Sequence, residues 1–219
     1  ISLSSVVASA SGCTTTITPG TITDSFVISA LPNVTGGTNS VAVTEPICLG
    51  SNGTVTFNAS AMANGTYNIA YTLSGANAST QTASGVVVAS GTGTFTIPSS
   101  ALTNAGTTTI SLSSVVASAS GCTTTITPGT ITDSFVINAL PNVTGGTNSV
   151  AVTEPLCLGS NGTVTFNASA LIDETYNIVY ELTGANSYSN VAFNVLITSG
   201  TGTFTIPASA LTNAGTTTI

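Results

Sequence analysis

Apolar and polar residues alternate at period two along most of the chain, and no stretch carries a convincing helical period. Val41 and Val43 alternate before Glu45-Pro46, and Val55, Phe57 and Ala59 alternate in the next run. Tyr67, Ile69, Tyr71 and Leu73 share one face of a third. Val86 to Val88 form a short apolar run, Phe95 and Ile97 share a face before Pro98, and Ile110 and Leu112 follow. Thr124 and Ile126, then Ile131 and Phe135, close the pattern past Pro128-Gly129. Threonine occupies many outward positions, where a β-branched polar side chain suits a pleated surface. Gly50-Ser-Asn-Gly53, Asn64-Gly65, Ser90-Gly91 and Asn104-Ala-Gly106 supply turns. The pattern predicts an all-β chain of tandem immunoglobulin-like β-sandwich domains, with about seven strands each. Pro98-Ser-Ser-Ala-Leu102 is expected to form a single 3₁₀ or α turn. The spacing of Tyr67 and Tyr71 with Ile69 and Leu73 places both tyrosines in a core, not on a sugar-stacking surface.

The same pattern occurs twice. Ile1-Ser-Leu-Ser-Ser-Val-Val recurs from Ile110, an offset of 109 residues that also maps Cys13 to Cys122, Cys48 to Cys157, Asp24 to Asp133 and Glu45 to Glu154. Such a period is one ordinary domain, not a short solenoid repeat. The copies differ at 20 positions, of which 17 lie between 62 and 89 (171–198 in the second copy). That stretch is free to vary, as an exposed strand and its loops would be.

The repeat is out of phase with the chain. The strongest linker signal is Ala30-Leu-Pro-Asn-Val-Thr-Gly-Gly37, repeated at Ala139–Gly146. Cutting there predicts one complete immunoglobulin-like unit at 33–141, the last strands of a preceding unit at 1–32, and the first strands of a following unit at 142–219. Two arrangements fit: a window on a longer array of such units, or strand donation between chains, in which 1–32 of one copy completes 142–219 of another. Either implies that the partner is the protein itself, head to tail along a fibre.

Composition narrows the functions. The 219 residues include no Lys, Arg or His, and the seven carboxylates give a formal charge of −7. Without cations the chain lacks the main electrostatic term for phosphate, so nucleic acid is not an expected partner. Without His or Lys there is no imidazole base, no Schiff base and no side-chain salt bridge. Ser and Thr make up about a third of the sequence, and mean hydropathy is +0.50, against disorder. No apolar run approaches the ~20 residues that span a bilayer, so membrane insertion is not expected. No basic segment followed by an apolar stretch opens the sequence, so no signal peptide is expected in it.

Candidate chemistry is sparse. The sequence shows no catalytic constellation and implies no cofactor. Of the carboxylates, Asp173, Glu174 and Glu181 replace Asn64, Gly65 and Thr72 of the first copy, so a site common to both copies does not use them. Asp133 and Glu154 flank the second linker and are weak calcium candidates, without a DxDxDG loop. Cys48 and Cys122 are the only pair inside the complete unit and are expected to form a disulfide, leaving Cys13 and Cys157 to neighbouring units. The other arrangement pairs Cys13 with Cys48 and Cys122 with Cys157. A disulfide implies an oxidising compartment. Asn-x-Ser/Thr sequons occur at Asn33, Asn52, Asn58, Asn64, Asn77, Asn142, Asn161 and Asn167, as expected in so Asn- and Thr-rich a chain. Thr54-x-Thr56 and Thr94-x-Thr96 have the spacing of an ice-matching array but read as ordinary strand surface.

Pro46-Ile-Cys-Leu-Gly50, the alternating strands, and Ser-Gly-Cys122 with its following threonines resemble the Ig-like/PKD-like tandem repeats of giant secreted Bacteroidetes surface proteins, of the gliding-motility adhesin type. The resemblance covers the whole repeat. It implies an Ig-like sandwich, type IX secretion, a place on the extracellular cell surface of a bacterium, and a structural disulfide at Cys48 and Cys122. It supplies no catalytic residue. The expectation is a structural repeat of an extracellular surface filament or stalk, and not an enzyme. The alternative is an adhesin that binds glycans or surfaces through 62–89 and 171–198. Trypsin is expected to leave the denatured, reduced chain uncut, and internal tryptic fragments seen by mass spectrometry would contradict the absence of basic residues.

Overall fold

A computed structural model describes residues 1–219. The chain divides into two compact units, Ile1–Ala139 and Leu140–Ile219. The division falls inside the second predicted linker, and residues 1–32 group with the complete unit that follows them.

The first unit opens with an arm. Its strands β1 (Ser5–Val7) and β2 (Thr14–Thr16) pair antiparallel, Ser5 opposite Thr16. A sandwich follows, built from β3 (Asn39–Val43), β4 (Ile47–Cys48), β5 (Gly53–Ala59), β6 (Gly65–Gly75), β7 (Ser79–Ala89), β8 (Thr92–Ile97), β9 (Gly106–Ala117), β10 (Thr123–Thr125) and β11 (Thr132–Asn138). A 3₁₀ turn at Ser99–Ala101 stands where Pro98 predicted one turn of helix.

The strands follow one path, β3-β5-β8-β7-β6-β9-β11-β4, with β10 added beside β9. It folds over between β7 and β8, which share only the pairs Val88–Gly93 and Ala89–Thr92. Three strands therefore face five, the two-layer arrangement of an immunoglobulin-like sandwich. Tyr71 of β6 meets Phe95 of β8 across the layers, ring centroids 5.4 Å apart. Val55, Phe57, Ile69, Tyr71, Leu112 and Phe135 belong to one buried cluster, so the period-two faces point inward as predicted. The structure has one short strand, β4, that the alternation did not reveal, and β10 stands where Thr124 and Ile126 alternate.

The closing strands sit at the centre of the five-stranded layer. β9 pairs with β6 from Ala117–Tyr67 to Thr108–Gly75, and with β11 from Ser111–Thr132 to Gly106–Ile137. Gly75 turns out of β6 at φ +89°, and a Cβ there would lie 2.6 Å from the Thr107 carbonyl oxygen. A bulge between Tyr67 and Ile69 is matched by positive φ at Gly85, and the second copy has Asn194 there, also at positive φ. The variable stretch is thus the β6–β7 hairpin, with β7 at the edge of its layer.

The second unit repeats the pattern over a shorter length: β12 (Asn148–Val152), β13 (Gly162–Ala168), β14 (Glu174–Gly184), β15 (Tyr188–Ile197), β16 (Thr201–Ile206) and β17 (Thr217–Thr218). One sheet is β12-β13-β16 and the other β15-β14-β17. Where β6 is paired with β9 along its length, β14 meets β17 only at Thr183 and Gly184. Phe135 of β11 is 1% exposed at the heart of the closed unit. Phe135→Ala should lower the stability of that unit by about 3–5 kcal/mol in a urea titration, and a loss below ~1 kcal/mol would show that β11 does not close the core.

Candidate functional site

The carboxylates shared by the two copies bond to backbone amides. Val43 N–H of β3 donates to Asp133 Oδ2 at 2.7 Å, and Ser134 N–H donates to Oδ1 of the same residue at 2.9 Å. Val136 N–H of β11 donates to Glu45 Oε1 at 2.6 Å. Asp133 thus ties β11 to β3, and Glu45 holds the edge of β11 where the chain passes from β3 to β4. Ile47 and Cys48 then pair in parallel with Ile137 and Asn138. In a chain without cations these charge-assisted bonds do what ion pairs do elsewhere, and they cover strand edges.

Asparagines add neutral clips. Asn77 is buried; its Nδ2 donates to the Asn104 carbonyl and to Thr108 Oγ1, and its Oδ1 accepts from Asn104 N–H. Asn186 repeats the clip with Asn213 and Thr217. Burial removes Asn77 from the sequons that a glycan could reach. Asn52 and Asn64 accept from the backbone N–H groups of Ser99 and Ser90.

Several expected sites take a different form. Cys48 and Cys122 are not brought together. Cys48 lies beside the Gly106 end of β9, whereas Cys122 follows its Ala117 end and accepts there from Ala117 N–H. Twelve strand residues separate those ends by more than ~30 Å at about 3.3 Å each, while a disulfide needs Cα atoms within about 7 Å. Counting cysteines per unit could not show that the two stand at opposite poles. All four thiols are unpaired. Asp133, a weak calcium candidate, already has both oxygens on backbone amides, and neither it nor Glu154 belongs to a cluster of three metal-type ligands. Tyr67 and Tyr71 are buried in the core, and burial pushes the Tyr71 hydroxyl above its ordinary pKa. Tyr176 is raised by partial desolvation, then by the charges of Glu174 and Asp173. Thr54 and Thr56 stand opposite Thr96 and Thr94 on β5 and β8, as cross-strand pairs.

The feature that composition did not reveal is a cleft in the second unit. It measures about 760 Å³ and is lined by Glu154, Leu156, Leu182, Ile206, Leu211 and Ile219, among others. In the first unit the residues at the same repeat positions, Ile47, Leu73, Ile97, Leu102 and Ile110, are buried in the core, packed with residues of β9 and β11. The cleft lies where the first unit packs β9 and β11, and Glu154 is the one charged residue of its wall, beside Asn186, Asn213 and the apolar side chains.

No family model matches the chain, and no curated protein is similar to it. No helix is long and apolar enough to cross a membrane. What the site does must therefore be argued from its geometry.

That geometry makes the carboxylate latch the first element to test. Asp133→Ala leaves the Val43 N–H without its partner. It should cost about 1.5–3 kcal/mol by urea denaturation, with Asp133→Asn recovering part of the loss. An unchanged midpoint for both variants would mean that the latch carries no stability.

Proposed function

We propose that this chain is a structural repeat of an extracellular bacterial surface filament or stalk, without catalysis. The observation that supports it best is polarity. Within the first unit, Ser29 and Pro32 lie beside Cys122 and Thr124, through Cys122 Sγ to Ser29 O at 3.8 Å and Thr124 Oγ1 to Pro32 O at 2.7 Å. β11 leaves at the other pole, next to Cys48. The chain thus arrives at one end of the sandwich and departs at the opposite end, along the direction of its longest strands. A unit with separate entry and exit poles is what the filament reading requires of its repeat. Near-identity of the two copies supports a regular array, and the resemblance to secreted surface repeats supports an extracellular place at the bacterial cell surface.

The adhesin reading has one observation of its own. The variable β14–β15 hairpin exposes Val179, Phe193 and Leu196, apolar side chains at positions where the copies differ. Binding of cells to a glycan-coated surface that disappears when the hairpins at 62–89 and 171–198 are exchanged would favour it.

The filament reading is tested on intact cells. Antibodies to the chain should label surface fibres in negative stain, with an axial repeat near 40 Å, the length of one unit at about 3.3 Å per residue of β9. Labelling confined to the cell interior, or surface label without fibres, would overturn it.

A further inference from the structure

We propose that Asn64 is a site of spontaneous conversion to aspartate, driven by the backbone nitrogen of Gly65, and that the unit is built to accept the product. The inference concerns the chemistry of one strand end and is independent of the filament and adhesin readings.

An Asn-Gly pair offers this reaction the least steric resistance, because glycine has no Cβ to hinder its own nitrogen. Three such pairs occur in the chain, Asn52-Gly53, Asn64-Gly65 and Asn161-Gly162. The structure separates them. Gly53 and Gly162 are buried. A Cβ on Gly53 would touch Ile47, Ile97 and Leu102, and one on Gly162 would touch Leu156, Leu211 and Ile206. Backbone packed in this way does not swing over the preceding side chain without disturbing the core. Asn64 and Gly65 are both exposed, and Gly65 forms the terminal pair of the β6–β7 ladder, opposite Val88. A strand end of this kind opens at low cost.

The reaction needs only water. Gly65 N loses its proton to solvent base and attacks Asn64 Cγ. A C–N bond forms, the bond from Cγ to Nδ2 breaks, and ammonia leaves. The product is a five-membered succinimide. Water then adds to one of its two carbonyl carbons. Cleavage between Cγ and the ring nitrogen restores the normal backbone with aspartate at position 64. Cleavage at the other carbonyl carbon gives the isoaspartyl chain, with an extra methylene in its backbone. The balance is amide plus water to carboxylate plus ammonium, with no change of oxidation state.

The second copy already carries the product. Asp173 holds the repeat position of Asn64, and Ser199 that of Ser90. Ser90 N–H donates to Asn64 Oδ1 at 2.7 Å, and Ser199 N–H donates to Asp173 Oδ1 at 2.7 Å. Both serines stand at positive φ, 50° and 49°, in the turn after β7 or β15. The acid thus replaces the amide as acceptor in the same geometry, and its charge strengthens the bond. Glu174 replaces Gly65, so the second copy has the carboxylate without the reactive glycine. Conversion brings the first copy to the same charge at this point, on the hairpin where the copies differ most. The isoaspartyl product does not reproduce this geometry.

The test incubates the intact chain at mildly alkaline pH, folded and in urea, and maps chymotryptic peptides by mass spectrometry. In the folded chain Asn64 should gain the mass of an amide-to-acid exchange while Asn52 and Asn161 stay amides. In urea all three should convert at similar rates. Gly65→Glu should suppress conversion at Asn64 in both states. Asn64→Asp should leave the melting midpoint unchanged or raise it. Folded Asn64 that stays an amide while it converts in urea, or Asn52 and Asn161 that convert as fast as Asn64 in the folded chain, would overturn the proposed site. A lower midpoint for Asn64→Asp would overturn the claim that the unit accepts the product.

Discussion

The fold depends on one apolar seam, the burial of β9 and β11 against β6 and the facing three-stranded layer. Leu112, Val115, Phe135 and Ile137 are at most 1% exposed there. Fully burying side chains of this kind is worth about 1.5–3 kcal/mol each. The remaining strands are arranged so that this seam can form. Gly75 lets β6 turn away without striking Thr107, and the bulge at Ile69 lets β7 follow β6. The second unit shows the same framework without the seam, as two separate three-stranded sheets.

The lack of cations gives the polar interactions their form. A carboxylate without a Lys or Arg partner can still find backbone N–H groups, and those at strand edges need acceptors. Asp133 and Glu45 meet that need at β3 and β11, the strands nearest the departing end of the unit. Asparagine does the same without charge: Asn77 uses its donor and its acceptor together in a buried clip that joins the start of β7 to the start of β9. Cohesion of this kind depends on no long-range attraction between opposite charges. Added salt can screen only the mutual repulsion of the carboxylates.

Most of the framework was legible in the sequence because period-two alternation reports which face is buried. Val55 and Phe57, Tyr67 to Leu73, and Phe95 with Ile97 all took their predicted faces. β4 was not legible, because Ile47–Cys48 is too short to alternate and exists only through its parallel pairing with β11. Most of β7 escaped too, since its first half is Ser-Thr-Gln-Thr-Ala-Ser on an exposed edge. The disulfide expectation failed for a physical reason. Loop length along the chain says nothing about which pole a residue occupies, and β9 carries the chain across the unit's length between them. The role of Asp133 was half visible: its position across the linker from the next repeated Glu pointed to a junction, but its true partner, the Val43 amide, precedes it by most of a unit.

Near-identical units also raise a question of self-recognition. The inward residues of β6 and β14 are the same, Tyr67, Ile69, Tyr71 and Leu73 against Tyr176, Ile178, Tyr180 and Leu182. The copies differ on this strand at Gly65, Ala70, Thr72 and Ser74, all outside the inward set. The surface that receives the closing strands is therefore preserved while its reverse side changes. A closing segment cannot tell one such surface from the next by sequence, so proximity along the chain must decide which cleft it fills. Folding within a unit therefore relies on connectivity to choose among identical contacts.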